Sequence, residues 1–195
     1  MKNLLFLILI SSINCSAQFI TTEIQSNFNS REIKDLEKIV FFFKNQISSK
    51  ENEDFANSII NLSPEIERNY YEAIYNRIDF KEQLNLYQSI SKDTFNSIWK
   101  TTEVKNYHNL SSLSICFSGK GKSYSNFLVQ IGMKNKYISA YSQDLIISGD
   151  FTATNNFIDY FLNSLSAEEL NNPNYQLIIA IHFLTINDQQ KRAIK

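Results

Sequence analysis

The chain has 195 residues with 19 Lys and Arg against 20 Asp and Glu, a formal net charge of −1, so no global charge draws it to nucleic acid or an acidic membrane surface. Four glycines and two prolines are too few for the many turns of an all-β protein, and two cysteines exclude a disulfide scaffold. The length suits one domain.

The N-terminus reads as an export signal. Lys2 supplies the positive start, Leu4 to Ile10 form an apolar run too short to span a bilayer, and Cys15-Ser16-Ala17 is a small-residue cleavage pattern. The expected division is a signal peptide at 1–17 and a single helical domain at 18–195, placing the protein in the periplasm or outside the cell. Cys15 supports an alternative, a bacterial lipoprotein cut before Cys15 and tethered to a membrane through it. Ser12 and Asn14 depart from the aliphatic and very small residues that this second cut favours. With Cys15 removed or acylated, Cys116 has no partner in its own chain.

Apolar spacing then predicts helices in succession. Ile33, Leu36, Val40, Phe43 and Ile47 recur at three and four residues, behind Ser30 as a cap. A shorter helix carries Phe55, Ile59 and Leu62. Ser63 and Pro64 read as the cap and first turn of the next, whose stripe is Ile66, Tyr70, Ile74 and Ile78. Asp79 starts a helix bearing Phe80, Leu84, Tyr87 and Ile90, and Phe95, Ile98, Trp99 and Thr102 repeat the spacing.

From 107 to 123 the period changes. Leu113, Ile115 and Phe117 alternate with serines and Cys116, which marks a short strand or a long loop. Helical spacing resumes with Tyr124, Phe127, Leu128 and Ile131, stopped by Gly132. Ile138, Tyr141, Leu145 and Ser148 follow, ending at Gly149 as a left-handed cap. Phe157, Ile158, Phe161, Leu162 and Leu165 form another stripe, and Ser166 to Glu169 a capping box. Pro173 precedes the segment 175–186, apolar on every side; its length favours a buried helix over a strand. The expected fold is all-α, an irregular bundle of about seven to nine short helices with one Ser/Gly-rich loop or short strand near 107–123. No apolar stretch in 18–195 is long enough to cross a membrane.

Several residues invite a chemical role. Gly121-Lys122-Ser123 would close a phosphate-binding P-loop, but Cys116 stands where the motif needs its first glycine, and no parallel sheet is predicted around it. The better reading is a solvated loop in which Lys120 and Lys122 attract an anion toward the helix start at Ser123. Cys116 with His108 or His182 has the residue types of a thiol hydrolase, without a hydrolase signature around the cysteine. No HExxH, cysteine pair or calcium-type acidic loop is present, and no metal or cofactor is expected.

Fifteen Phe, ten Tyr and one Trp are the distinctive feature of the composition. Tyr70, Tyr71 and Tyr75 cannot share one helix face, so Tyr70 and Tyr71 are candidate recognition residues. The sequence thus suggests an exported, non-enzymatic helical module that binds a protein or cell-envelope partner. The alternative is a small exported hydrolase whose active site the sequence does not identify.

Overall fold

The computed structural model describes residues 19–105, 111–151, 157–158 and 162–193, without the side chains of residues 70, 104, 105, 111 and 112. Within these residues run the helices α1 (Thr22–Asn27), α2 (Ser30–Ile47), α3 (Phe55–Tyr75), α4 (Phe80–Ser89) and α5 (Lys92–Ile98). The strands β1 (Trp99–Lys105) and β2 (Ser111–Phe117) follow, then α6 (Ser123–Gly132), α7 (Lys136–Ser148), α8 (Ala167–Leu170) and α9 (Pro173–Ala193). The protein is an irregular all-α bundle with one small antiparallel sheet. Among the described residues no helix is long and apolar enough to cross a membrane.

The last helix is the centre of the molecule. Every residue of α9 from Leu177 to Asp188 is buried, and α2, α3, α4, α8 and β2 pack around it. Phe43 of α2 stacks on Phe183 at 5.7 Å between centroids, and Phe157 stands edge-on to the same ring. A helix buried on all sides must also satisfy its polar side chains inside the protein. Thr185 accepts from the Trp99 indole at 2.7 Å and donates to the Ile181 carbonyl. Asn187 donates to Gln83 at 2.7 Å, and Gln83 in turn donates to the Leu184 carbonyl. Asp188 receives both Nε and Nη2 of Arg192. The helix reading of 175–186 holds, and the helix extends beyond it at both ends.

Local chemistry explains most boundaries. Asn29, not Ser30, caps α2: its side chain accepts from the Arg31 and Glu32 amides while the Glu32 carboxylate accepts from the Asn29 amide. Asp79, Ser91 and Ser166 cap α4, α5 and α8 through side-chain oxygens. Gly149 ends α7 with φ of 72°, the left-handed conformation expected of it.

Four expectations are corrected. Ser63 and Pro64 start no helix; α3 runs through them, because Phe55, Ile59, Leu62 and Ile66 form one unbroken buried stripe. Pro64 has no amide to donate to the Ile60 carbonyl, and Ile60 is on the exposed side of the helix, 47% accessible. The break comes instead at Asn69 (φ −155°, ψ 86°), whose side chain accepts from the Glu72 amide and restarts the helix. Trp99 and Thr102 lie on β1 rather than on a helix, with Trp99 opposite Phe117 in the sheet register. The α4 helix buries Gln83 and Leu86, while Phe80, Leu84 and Tyr87 are half-buried, a rotation that brings the Gln83 amide to α9. In the stripe from Phe157 to Leu165, residues 157–158 are helical, Leu162–Ser164 form a 3-10 turn, and Leu165 lies outside any helix. Phe157 and Leu162 are nonetheless buried as core, and Phe161 lies outside the described residues.

The strand alternative for 107–123 is the one realised, over Ser111–Phe117. Ile115 and Phe117 are buried as alternation predicts, but Leu113 is exposed.

Candidate functional site

The residues nominated by sequence fall in separate places. The signal segment with Cys15, and His108, lie outside the described residues. Tyr71 is exposed on α3 past the Asn69 kink, and the side chain of Tyr70 lies outside the description. Tyr75, on the same turn, lies under the Lys191 ammonium, 3.2 Å from the ring centroid. The α3 helix packs on α9, α2 and α8.

Lys120 and Lys122 do come together. They occupy the turn between β2 and α6, both exposed, with Gly119 (φ 111°) and Gly121 (φ 83°) supplying the left-handed backbone that turns the chain. Ser118 anchors the start of this turn, its amide bonded to the Ile98 carbonyl and its hydroxyl to the Ser97 carbonyl. The strand before it pairs antiparallel with β1, so the parallel sheet beneath a P-loop is replaced by a hairpin. Lys122 is the N-cap of α6 and offers no side-chain cap to the helix amides.

The hydrolase candidates are poorly tuned for chemistry. Burial raises the Cys116 thiol pKa, opposed by nearby Lys100, whereas a nucleophilic thiol needs it lowered. His182 is buried among Tyr141, Phe151, Phe157 and Phe183, its ring stacked on Phe157 at 3.7 Å between centroids. Burial alone lowers its pKa to about 3, far from the range of a general base at neutral pH. Its Nδ1 and the Tyr141 hydroxyl are 3.3 Å apart, a partner that suits a structural histidine. Among the described residues no group of three or more His, Cys, Asp or Glu could hold a metal ion.

A groove on the outside of the α6–α7 hairpin is the feature that does stand out. The two helices meet closely because Gly132 has no side chain: a Cβ there would sit 2.9 Å from the Ser139 Cα. Their inner stripes, Tyr124, Phe127, Leu128 and Ile131 on α6 and Ile138, Tyr141 and Leu145 on α7, are buried. The outer side is also apolar. Met133 is 81% and Ile147 85% exposed, the two most exposed large apolar side chains among the described residues, and Val129 is exposed beside them.

These three residues and Ile146 line a groove of about 400 Å³ whose rim includes Lys120. Ser142 lines it too. Its hydroxyl is buried and has no hydrogen-bond partner among the described residues, an unsatisfied group that normally costs stability. Another groove, bounded by Phe19, Ile20, Phe28 and Ile33, has Lys34 and Glu37 of opposite sign on its rim, and its one exposed large apolar residue, Ile20, is only 37% exposed.

Charge distinguishes the hairpin further. Residues 104 to 143 contain Lys105, Lys120, Lys122, Lys134 and Lys136 and no Asp or Glu, in a chain whose net charge is −1. Lys134 is matched by Glu23 of α1 at 2.7 Å, and its hydrogen bond is the main reason the Glu23 pKa lies at about 2. Lys120 and Lys122 make no ion pair among the described residues. The sequence reading missed Val129, Met133, Ser142 and Ile147. The signal for Val129, Met133 and Ile147 was apolar residues lying off the buried stripes of two neighbouring helices, and Ser142 gave none.

The fold and this groove define a helical module with an outward apolar cleft and a cationic rim. Comparison with known proteins adds no relative: no family model, no curated protein and no solved structure matches the chain.

Proposed function

We propose that the chain is an exported, non-enzymatic helical module that binds a protein or cell-envelope partner through the outer groove of the α6–α7 hairpin. The observation that carries the reading is the convergence of Met133, Ile147 and Val129 on one groove. Large exposed apolar side chains gathered around a concavity mark interaction sites, whereas single scattered ones need no explanation. Export rests on the order of Lys2, the apolar run Leu4 to Ile10 and the small residues to Ala17. Lipid attachment at Cys15 would place the same module on a membrane surface.

The test is site-specific photo-crosslinking in the native host. A crosslinking amino acid at Met133 should yield a discrete adduct, and the same group at Phe41, exposed on α2, should not. No adduct at Met133, or equal adducts at both sites, would remove the groove as the binding face. Intact mass of the exported protein checks the other half: it should begin at Gln18, and acylated Cys15 at its start would establish the lipoprotein alternative.

A further inference from the structure

We infer that the groove takes an acidic protein segment, one that sets an apolar side chain between Met133 and Ile147 and carboxylates against Lys120 and Lys122. This inference rests on the groove being the binding face and adds the chemistry of what it binds. Charge selects the occupant. The turn before α6 brings Lys120 to the rim of the groove with Lys122 two residues further on, neither lysine makes an ion pair among the described residues, and no acidic residue lines the groove. A second copy docked by the same face would set these lysines against their equals, and like charges across an interface are costly.

Shape selects a polypeptide over other anions. The groove is concave and open, with Met133 and Ile147 standing out of it. A small carboxylate would leave those two side chains in water, since small-ligand sites enclose most of their ligand. A bilayer surface has no side chain to enter the cleft. A protein segment supplies both an inserted apolar group and flanking carboxylates. Helix-in-groove recognition uses this combination of an apolar anchor and charged flanks.

The experiment pans a displayed library of random peptides against residues 18–195 and measures the best binder by fluorescence anisotropy. Vesicles of phosphatidylglycerol serve as the parallel probe. The expected result is enrichment of peptides that combine Asp or Glu with Leu, Ile or Phe. Their affinity should drop about tenfold in Met133→Asp or Ile147→Asp, the loss typical of an anchor contact. It should drop severalfold in Lys120→Glu, fall with added salt, and stay unchanged in Phe41→Asp. All four positions are exposed, so the variants fold.

Enrichment of basic or uncharged peptides would overturn the inference, as would binders insensitive to Met133 and Ile147. Cosedimentation with the vesicles and no peptide enrichment would replace the protein segment with a membrane surface. Crosslinking at Met133 separates the two levels. An adduct whose contacted segment is not acidic leaves the binding face standing and refutes its chemistry, while no adduct refutes the face itself.

Discussion

α9 and the α6–α7 hairpin are both apolar on more than one side, yet the fold treats them in opposite ways. The α9 helix is enclosed by four helices and a strand, and even its Thr185, Asn187 and Asp188 are buried with internal partners. The hairpin buries one side against α1, α5 and the core and leaves Val129, Met133 and Ile147 in water. Burying an apolar side chain of this size contributes about 1.5–3 kcal/mol, so leaving several exposed in one patch forgoes a stabilisation that α9 collects in full. The comparison teaches that apolar character off the main stripe means core in one helix and docking face in the other, and that the neighbours decide which.

The largest expected effect breaks the buried side of this comparison. Phe183→Ala removes a ring stacked on Phe43 and edged by Phe157, and should cost about 3–5 kcal/mol in chemical denaturation. A loss below about 0.5 kcal/mol, the usual scale of a surface change, would mean α9 is not the centre of the core.

A smaller effect tests how the hairpin is closed. Gly132→Ala places a Cβ 2.9 Å from backbone of Ser139, and backbone cannot rotate away as a side chain can. Overpacking outweighs alanine's better helix propensity, for a net loss of about 1–2 kcal/mol. Equal or greater stability would show that α6 and α7 have room to separate.

The next prediction concerns pH. Burial pushes the Asp35 carboxyl up. Hydrogen bonds from the Ser91 amide, the Lys38 ammonium and the Thr94 hydroxyl outweigh it and hold the pKa at about 2, against an ordinary 3.8. Between those values the unfolded chain binds the proton more readily than the folded one. The contribution is therefore whole above pH 4 and is lost as pH falls toward 2. Thermal melts of Asp35→Asn should show a shallower fall than wild type over that window. Parallel curves would mean the carboxylate is not what holds α5 to α2.

The smallest effects sharpen the exposed side. Lys122→Ala and Met133→Asp should each leave stability within about 0.5 kcal/mol, as changes of solvated side chains do. Mg²⁺-ATP at millimolar concentration should not raise the melting temperature, since a nucleotide bound only by the folded state would do so by mass action. A rise that vanishes in Lys122→Ala would restore the P-loop reading.

Helix caps were legible because they depend on neighbours in sequence. Asp79, the Ser166–Glu169 box and Gly149 act on backbone groups a few residues away. So were the buried stripes of α2, α6 and α7, whose period reflects one local geometry. The Asn69 break was not legible, because Pro64 is a stronger local signal and is overruled by a stripe that needs α9 to bury it. Gln83 was missed for a related reason. A polar residue reads as surface until the Leu184 carbonyl and Asn187 are placed beside it.

What the sequence by itself determined is the helical class, most of the element order and the lysine turn before α6, all products of short-range periodicity and capping. Only the tertiary structure decided that Trp99 begins a strand, that α9 occupies the centre and that Met133 and Ile147 share a groove. Each of those depends on contacts between residues far apart in the chain, and burial is a property of the assembled neighbours rather than of the side chain alone.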